Sequence, residues 1–302
     1  MDQVVANLIT AAALIGVVVL ARRNLRHQRG HRRAALRLAL VAGAFMSAGR
    51  LLTMHHVPTS FEVAFVFGAV AWGLFQAALV WLCYVALEPY VRRLWPRVLV
   101  SWIRLLDGRI KDPLVARHLI YGAVAGIFFQ LLDQASRLWV GEPIYAISAS
   151  AFLPFGTDGG ASFLGYALIA ALSGIMPSVG YLALLLLFRL LLRNIAAAAI
   201  LMVLLNPIQG PMTSGLELLP VLVFQTGESL WLAMIFRFGF LSAAAALVVS
   251  TLLERFPLTI DLSLWYAPTS LFVLAMVVVL AVAAFRVSLG GRALLSDLLK
   301  ET

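Results

Sequence analysis

The residue with the clearest chemical potential in this sequence is Glu228, a carboxylate inside a long apolar stretch, with Gln225 about one helical turn before it. Moving a charged group into hydrocarbon is costly, so an ionisable residue in a membrane span is by default a candidate functional residue. The nearest basic residue along the chain, Arg237, lies about two and a half helical turns away. We therefore expect a partner from another segment, with Glu228 placed to carry or sense a proton. If its segment is re-entrant, the same side chain is simply hydrated.

Asp133 and Arg137 form a second ionisable pair within an apolar stretch. Their spacing of four residues places them on one helical face, where an ion pair can form. Gln130 and Gln134 add hydrogen-bonding capacity nearby. The pair is either a polar functional site or a self-neutralised pair near the outer interface that only helps to pack helices together.

Enzyme chemistry is poorly represented. The sequence lacks the His-Glu-x-x-His pattern of a zinc site, and Ser214-Gly215 lacks the flanking pattern of an intramembrane serine protease. His55 and His56 with Glu62 could hold a metal, but adjacent histidines in one loop make a poor chelate, and a polar turn is the simpler interpretation. We predict no catalytic residue, no metal and no cofactor.

The composition defines the environment of these residues. The chain has 302 residues, of which 62% are hydrophobic and 12% charged, with a net charge of +9. Soluble domains have roughly 45–50% apolar and about 25% charged residues. A soluble enzyme, a disordered tail and a disulfide scaffold are thereby excluded, the last also because Cys83 is the single cysteine. The positive charges lie between apolar runs, which favours anionic lipid headgroups over nucleic acid as their partner.

Nine apolar segments predict an all-α fold, a polytopic transmembrane helix bundle that forms a single domain over residues 1–302. A bilayer core of about 30 Å requires roughly 20 apolar helical residues. The predicted spans cover residues 4–20, 36–54, 61–87, 119–140, 163–188, 195–208, 216–236, 238–253 and 267–285. Asn206-Pro207 and Gly210-Pro211 interrupt the sequence after the sixth span starts. The alternative makes residues 195–225 a broken or re-entrant element and leaves eight spans.

The distribution of basic residues favours nine spans. With the N-terminus outside and the C-terminus cytoplasmic, 20 of the 23 basic residues fall on the cytoplasmic side, and only Arg50, Arg137 and Arg255 fall outside. Cytoplasmic loops carry an excess of lysine and arginine. Eight spans would place the three basic residues after the last span outside. We therefore expect a multi-pass protein of the bacterial cytoplasmic (inner) membrane.

The connector between the third and fourth spans, residues 88–118, is long and basic. Helical periodicity over residues 97–111 predicts an interfacial amphipathic helix in the headgroup plane, where Trp95 and Trp102 are typical residues. Asp107-Gly108 and Asp112-Pro113 predict a helix end and a restart. A hydrated loop with a short helix is the simpler alternative. The candidate surface for lipid or a soluble partner comprises Arg92, Arg93, Arg97, Arg104, Arg109, Lys111 and Arg117.

Two blocks of sequence carry a family resemblance. The first block contains Leu87-Glu88-Pro89-Tyr90-Val91-Arg92-Arg93, Trp95-Pro96, Ser101-Trp102, Arg104-Leu105-Leu106, Gly108-Arg109 and Asp112-Pro113-Leu114-Val115. The second contains Phe256-Pro257-Leu258-Thr259, Asp261-Leu262-Ser263, Trp265-Tyr266 and Phe285-Arg286-Val287-Ser288-Leu289-Gly290-Gly291-Arg292. Over about residues 21–292 the chain resembles the integral-membrane C-terminal region of a group of bacterial eukaryotic-like serine/threonine protein kinases, as found in acidobacteria and myxobacteria. Ala116 departs from the glycine expected at its position.

The kinase domain itself is not represented, since the glycine-rich loop, the His-Arg-Asp catalytic loop and the Asp-Phe-Gly motif are absent. The resemblance implies a non-catalytic membrane module of a signalling system. It would anchor, assemble or sense for a kinase or other membrane-protein partner at the cytoplasmic face. The contact would be made through two arginine-rich connectors, residues 22–37 after the first span and residues 88–118. The alternative is a small-molecule or ion transporter or channel that uses Glu228 and the broken segment after Asn206. A transporter needs a polar cavity beside Glu228, whereas an anchor can be packed shut.

Overall fold

The computed structural model describes residues 2–54, 56, 61–140, 160–205, 218–256, 258–259, 261–264 and 267–289. Over these ranges the regular structure is entirely helical, which confirms the predicted all-α class. The ten helices are α1 (Asp2–Arg26), α2 (Arg32–Thr53), α3 (Phe61–Leu94), α4 (Val100–Leu106), α5 (Pro113–Val140), α6 (Gly160–Leu192), α7 (Ile195–Leu205), α8 (Leu218–Arg237), α9 (Phe240–Arg255) and α10 (Ala267–Ser288). Each predicted span overlaps one of them, and α4 lies in the connector. The predicted break at Asn206-Pro207 and Gly210-Pro211 lies outside the described residues.

The outer surface of the bundle is apolar. On α3, for example, Phe61 and Phe67 are each 70% exposed. A helix that is apolar all round suits a hydrocarbon environment. Within the described ranges, five helices are long and apolar enough to cross a membrane, in the segments Arg32–Thr53, Phe61–Leu94, Pro113–Ser136, Ala161–Leu192 and Ala267–Ser288. The fold is therefore that of a multi-pass membrane protein.

Pairwise contacts connect the helices into one bundle. Helix α1 packs on α3, and α2 packs on both α3 and α6. Helix α6 also contacts α9, which packs on α5, and α5 in turn contacts α8 and α10. Helix α7 lies against α6 and α8. Helices α6 and α9 are thus central in the bundle.

Small residues allow the central helices to approach closely. A Cβ atom added at Gly122 would lie 2.5 Å from the Ser242 carbonyl oxygen, and one at Gly126 would lie 2.4 Å from the Ala246 carbonyl oxygen. A Cβ atom at Gly174 would meet the Val248 Cα atom at 2.5 Å. Because lipid tails supply no hydrophobic driving force between helices, such close backbone packing is a main source of association.

The connector folds against one end of this bundle. Helix α3 runs on to Leu94, beyond the predicted end of its span, and the short α4 is the only helix between α3 and α5. The predicted helix over residues 97–111 is thus shorter in the structure, and Trp102 is buried in protein with 4% of its surface exposed. The predicted end and restart are confirmed, because Gly108 has a φ of +84° and α5 begins at Pro113. We call residues 95–112 the connector cap.

Candidate functional site

Glu228 lies inside the bundle beside a cavity of about 70 Å³. The carboxylate residue is only 5% exposed. The cavity is lined by side chains from α5, α6, α8 and α9, among them Phe129, Tyr181, Glu228, Trp231 and Ser250. Glu228 is therefore buried among the helices rather than on the outer apolar surface.

Two features of the chain shape this cavity. Gly227 leaves room for the ring of Phe129, because a Cβ atom at Gly227 would lie 2.2 Å from the Phe129 Cε2 atom. Trp231 and Tyr181 meet edge to face, with ring centroids 5.5 Å apart and an interplanar angle of 67°. The rings hold each other in place, and the cavity is aromatic on the sides that they form.

The remaining wall is mostly apolar, with Ala125, Leu230, Ala246 and Leu247 among its residues. Glu228 and the buried Ser250 are its polar members. Trp231 is 2% exposed, and its Nε1 donor has no hydrogen-bond acceptor in the part of the chain that the structure describes. A cavity that holds a water requires roughly 10–15 Å³ and polar partners. The volume of this cavity exceeds that minimum.

Among the described residues that line the cavity, Gln225 and Asp133 do not occur. Gln225 is half-buried one turn earlier on α8, and its backbone carbonyl accepts a 2.8 Å hydrogen bond from the Ser229 hydroxyl. Asp133 is half-buried on α5, one turn after Phe129. The side chain of Arg137 lies outside the described part of the structure, so the ion pair with Asp133 stays a prediction.

The possible metal ligands near residue 56 form an ion pair instead. The His56 Nδ1 atom pairs with the Glu62 carboxylate, and its Nε2 atom donates a 3.0 Å hydrogen bond to the Leu51 carbonyl. Both ring nitrogens therefore have protein partners, as expected for a polar turn. His55 lies outside the described residues.

The connector cap is fastened to the turn between α8 and α9. The Phe240 N–H donates a 2.8 Å hydrogen bond to the Val98 carbonyl, and the Trp102 and Phe240 rings meet edge to face at 4.9 Å. Trp95 packs against Phe236 in the same way at 6.2 Å. The two helices joined at this turn are also those that contribute Glu228 and Ser250 to the cavity wall.

Other contacts hold the cap to the ends of α2 and α5. The Arg37 guanidinium donates a 2.8 Å hydrogen bond to the Leu106 carbonyl. Asp112 accepts one at 2.8 Å from the Leu114 N–H, which caps α5, and another at 2.9 Å from Arg104. Partial burial alone would raise the pKa of Asp112, but these two donors outweigh it and hold that pKa below its usual range.

The seven basic residues predicted as a binding surface fall into two groups, those with protein partners and those exposed to solvent. Arg92 pairs with Glu88 at 3.2 Å, Arg104 is half-buried against Asp112, and the Arg117 Nε atom donates to the Pro113 carbonyl. The other four are exposed, and no ion pair engages them within the described ranges; they are Arg93, Arg97, Arg109 and Lys111. We call these four residues the basic face of the cap.

Sequence reasoning missed a buried polar cluster at the end of α3. Pro89 has no N–H group, so the Val85 carbonyl four residues earlier loses its helical partner. The Asn24 side chain, 1% exposed, donates to the Val85 carbonyl at 2.9 Å and to the Ala86 carbonyl at 3.1 Å. Glu88, also buried, accepts a 3.1 Å hydrogen bond from the backbone N–H of His31. In the sequence, Pro89 indicates that one helical carbonyl lacks a donor. The side chain that supplies the donor lies in another helix, so the sequence does not identify it.

The structure thus brings together two features, a buried carboxylate cavity and a folded basic cap, through the shared helices α8 and α9. The cap presents positive charge on a hydrogen-bonded backbone. No family model, curated protein or solved structure matches the chain.

Proposed function

We propose that the chain is a non-catalytic membrane module of a bacterial signalling system that holds, or senses for, a kinase-type partner at the cytoplasmic face. The observation that carries this proposal is the basic face of the cap. Arg93 projects from the end of α3, and the other three side chains project from the connector cap, which is hydrogen-bonded to α2, α5 and α9 rather than being a loose loop. A preordered surface loses less conformational entropy when it binds a partner. The first block of the family resemblance lies in and beside this cap.

The proposal includes an orientation in the bacterial inner membrane. Nine crossings, with the N-terminus outside, place the cap and 20 of the 23 basic residues in the cytoplasm. Single cysteines in a Cys83→Ser background test this arrangement. We expect His27→Cys and Ile110→Cys to react with an impermeant maleimide only after permeabilisation, and Leu262→Cys to react in intact cells. The opposite pattern, or equal labelling of all three, would contradict the orientation.

Anionic lipid headgroups are the first partners that this orientation offers to the cap. Each lysine or arginine near an anionic leaflet contributes about 1 kcal/mol of attraction. With one face of the cap buried in the bundle, its exposed part would lie in the headgroup layer. An acidic segment of a soluble partner would use the same charges, so lipid and protein are expected to compete there.

The partner is tested by purification from native membranes. We expect the wild-type chain to bring down a serine/threonine kinase activity, measured as transfer of labelled phosphate from ATP to casein. Conversion of the basic face to glutamine should reduce that activity at least tenfold; the substituted residues are Arg93, Arg97, Arg109 and Lys111.

A matched control removes four positive charges from the other arginine-rich connector on the same proposed side, at Arg22, Arg23, Arg26 and Arg29. This variant should retain the kinase. Absence of any kinase activity in the wild-type preparation would overturn the signalling role. Equal loss in both variants would show that net charge, rather than the cap, recruits the partner.

A second candidate function, ion transport, is supported by the placement of Glu228 at a cavity within the bundle. Ionisable residues inside a membrane bundle commonly line ion pathways. Proteoliposomes with an entrapped sodium- or pH-sensitive dye test this function. Transport predicts a flux several times that of empty vesicles, and its loss in Glu228→Gln. A wild-type flux equal to that of empty vesicles would exclude this candidate under the ions tested.

A further inference from the structure

We propose that the turn between α1 and α2 binds the phosphate headgroups of anionic phospholipids. We call residues 22–33 the arginine turn. It is separate from the cap, and the inference does not depend on the role of the cap in signalling. With histidine neutral, arginine is the one residue type in this segment that carries a formal charge. The side chains of all six arginines are exposed; they are Arg22, Arg23, Arg26, Arg29, Arg32 and Arg33.

The surroundings of the arginine turn leave its positive charge available. The carboxylate of Glu88 contacts the turn, but it is buried, accepts a 3.1 Å hydrogen bond from the His31 N–H and pairs with Arg92. Arg32 donates a 2.9 Å hydrogen bond to the Leu25 carbonyl, which is a neutral group. No ion pair engages any of the six arginines within the described ranges. A negatively charged partner from outside the chain can therefore reach them.

The backbone of the turn is ordered by its own hydrogen bonds. Helix α1 ends in a Schellman motif, in which the Gln28 N–H donates to the Leu25 carbonyl at 3.2 Å and the Arg29 N–H donates to the Asn24 carbonyl at 2.9 Å. Gln28 adopts the left-handed conformation that this motif requires, with a φ of +53°. Another hydrogen bond fastens the turn to α3. An ordered backbone presents the arginines together and reduces the entropy lost on binding.

The position of the turn along the two helices places it at headgroup depth. Exposed apolar side chains precede it on α1, at Val18 and Val19, and follow it on α2, at Leu36 and Leu40. Such side chains belong in the hydrocarbon, so the arginines begin where the hydrocarbon ends. The helix rises about 6 Å between residues 22 and 26. Each headgroup layer is roughly 5–7 Å thick, which matches this rise.

Depth and side-chain chemistry together favour a lipid as the partner. A guanidinium group matches the geometry of a phosphate, to which it can donate two parallel hydrogen bonds. In phosphatidylcholine the choline group balances the phosphate charge, whereas an anionic headgroup keeps its net negative charge and is attracted more strongly. An acidic segment of a soluble protein would have to displace headgroups to reach the same arginines. We therefore expect the turn to concentrate anionic lipid around it.

The test measures which lipids gather at the turn of the full chain. Bimane is attached at His27→Cys in a Cys83→Ser background, and the protein is reconstituted in phosphatidylcholine nanodiscs. Nitroxide-labelled phosphatidylglycerol and nitroxide-labelled phosphatidylcholine are compared as quenchers at the same low mole fraction. We expect phosphatidylglycerol to quench at least twice as strongly at this position. The same dye at Leu262→Cys, which lies between α9 and α10 at the opposite end of α9 from the cap, should be quenched equally by the two lipids.

Variants assign the preference to the arginine turn. It should disappear in a variant that combines Arg22→Gln, Arg23→Gln, Arg26→Gln and Arg29→Gln. Lysine at the same four positions should retain it, because the charge is kept. The matched control, glutamine at the four residues of the basic face, removes equal charge from the cap and should leave the preference at residue 27 unchanged.

Ionic strength provides a test that needs no substitution within the turn. Raising sodium chloride from about 0.1 M to about 1 M shortens the Debye length from about 10 Å to about 3 Å. The preference for phosphatidylglycerol at residue 27 should then fall to that at residue 262. This measurement keeps the proposal falsifiable if the glutamine variant fails to fold.

Four results would overturn the proposal. They are equal quenching by the two lipids at residue 27, a full preference in the glutamine variant of the turn, a preference that salt leaves unchanged, and equal loss in the turn and cap variants. The last result would show that net charge, rather than the turn, attracts the lipid. If the two lipids quench equally while a soluble polyglutamate peptide shields the dye, the turn binds an acidic protein segment instead. Kinase recruitment by the cap is measured separately, so its failure would leave this proposal untouched.

Discussion

Asn24 and Pro89 show how one side chain compensates for a backbone defect in another helix. The carboxamide of Asn24 donates to the Val85 carbonyl, which has no helical donor because residue 89 is proline. We expect Asn24→Ala to lower the free energy of unfolding by about 1–3 kcal/mol, since a buried carbonyl is left without a donor. Denaturation of the purified protein in detergent, followed by circular dichroism, measures the change.

A double-mutant cycle separates this role from simple loss of packing. In a Pro89→Ala background the restored N–H group at position 89 can bond to the Val85 carbonyl, so Asn24→Ala should cost less than about 1 kcal/mol. Equal costs in the two backgrounds would contradict the compensation. In that case Asn24 contributes only through its volume.

His56 provides a prediction that depends on pH. Its hydrogen bond to the Glu62 carboxylate, followed by the bond to the Leu51 carbonyl, raises the pKa of His56 above the usual value of about 6.5. Because the pKa is raised in the folded state, the stabilisation by this pair is complete below about pH 6.5 and is lost as pH rises through the raised pKa.

An NMR titration of the His56 ring should show this raised midpoint. Glu62→Gln should return it toward about 6.5, whereas Glu254→Gln on α9 should leave it unchanged. An unaltered midpoint in Glu62→Gln would show that another group holds the imidazolium.

At the residue scale, the sequence singles out Glu228 but does not reveal its surroundings. A carboxylate in an apolar stretch is visible in the chain, because charge and hydropathy are local properties. Phe129, Tyr181 and Ser250 reach the same cavity from three other helices, and none carries a local signal that distinguishes it from an ordinary packing residue. The composition of the cavity wall depends on which helices become neighbours, and hydropathy does not contain that information.

Among the elements, the turn between α8 and α9 depends on Gly239. Its φ is +96°, and an added Cβ atom would lie 2.8 Å from the Val98 carbonyl oxygen of the cap. Gly239→Ala therefore combines backbone strain with a clash against backbone. We expect a loss of at least about 1–3 kcal/mol in the free energy of unfolding. Gly68→Ala on α3 is the matched control, since no atom lies within 4 Å of its added Cβ atom.

The control should be neutral or stabilising by up to about 1 kcal/mol, because alanine favours a helix over glycine. Denaturation curves for the two variants provide the comparison. Equal stability of Gly239→Ala and the wild type would mean that the cap and the turn separate without cost, and that the contacts of Val98 and Trp102 do not anchor the connector.

Element boundaries were predictable where they have local causes. Asp112-Pro113 marks the start of α5 because an aspartate caps a helix and proline suits its first turn, and the structure has both. Helix α3 continues seven residues past the predicted end of its span, through Pro89 to Leu94. A helix normally continues poorly through proline because one carbonyl is left without a donor. Here the Asn24 side chain on α1 donates to that carbonyl, which belongs to Val85.

For the whole molecule, composition alone identifies a membrane protein, but it does not determine the order of packing. Apolar runs predict the helices, and glycines within them predict close contacts between helix backbones, without indicating which helices are in contact. They do not reveal that Gly122 and Gly126 meet α9, or that Gly174 meets the same helix from the other side. The central place of α9 is a property of the assembled bundle, and it puts one helix in contact with both the cavity and the cap.

That shared helix leads to a prediction about the molecule as one system. Glu228 and Trp231 on α8, with Ser250 on α9, line the cavity, and the turn joining these helices is bonded to Val98 in the cap. A change to the cavity wall should therefore also change the order of the cap. Coupling between two such sites is reciprocal, whatever the path between them.

Hydrogen exchange in nanodiscs measures this coupling. Trp231→Ala, which removes one aromatic side of the cavity wall, should speed exchange of amides in residues 95–112 several-fold relative to the wild type. Amides at the start of α3, near Glu62, should exchange equally in the two proteins, because they lie far along the chain from α8 and α9 and belong to the opposite end of α3 from the cap. If Trp231→Ala lowers Tm while cap amides exchange at the wild-type rate, the cavity wall and the cap are independent of each other.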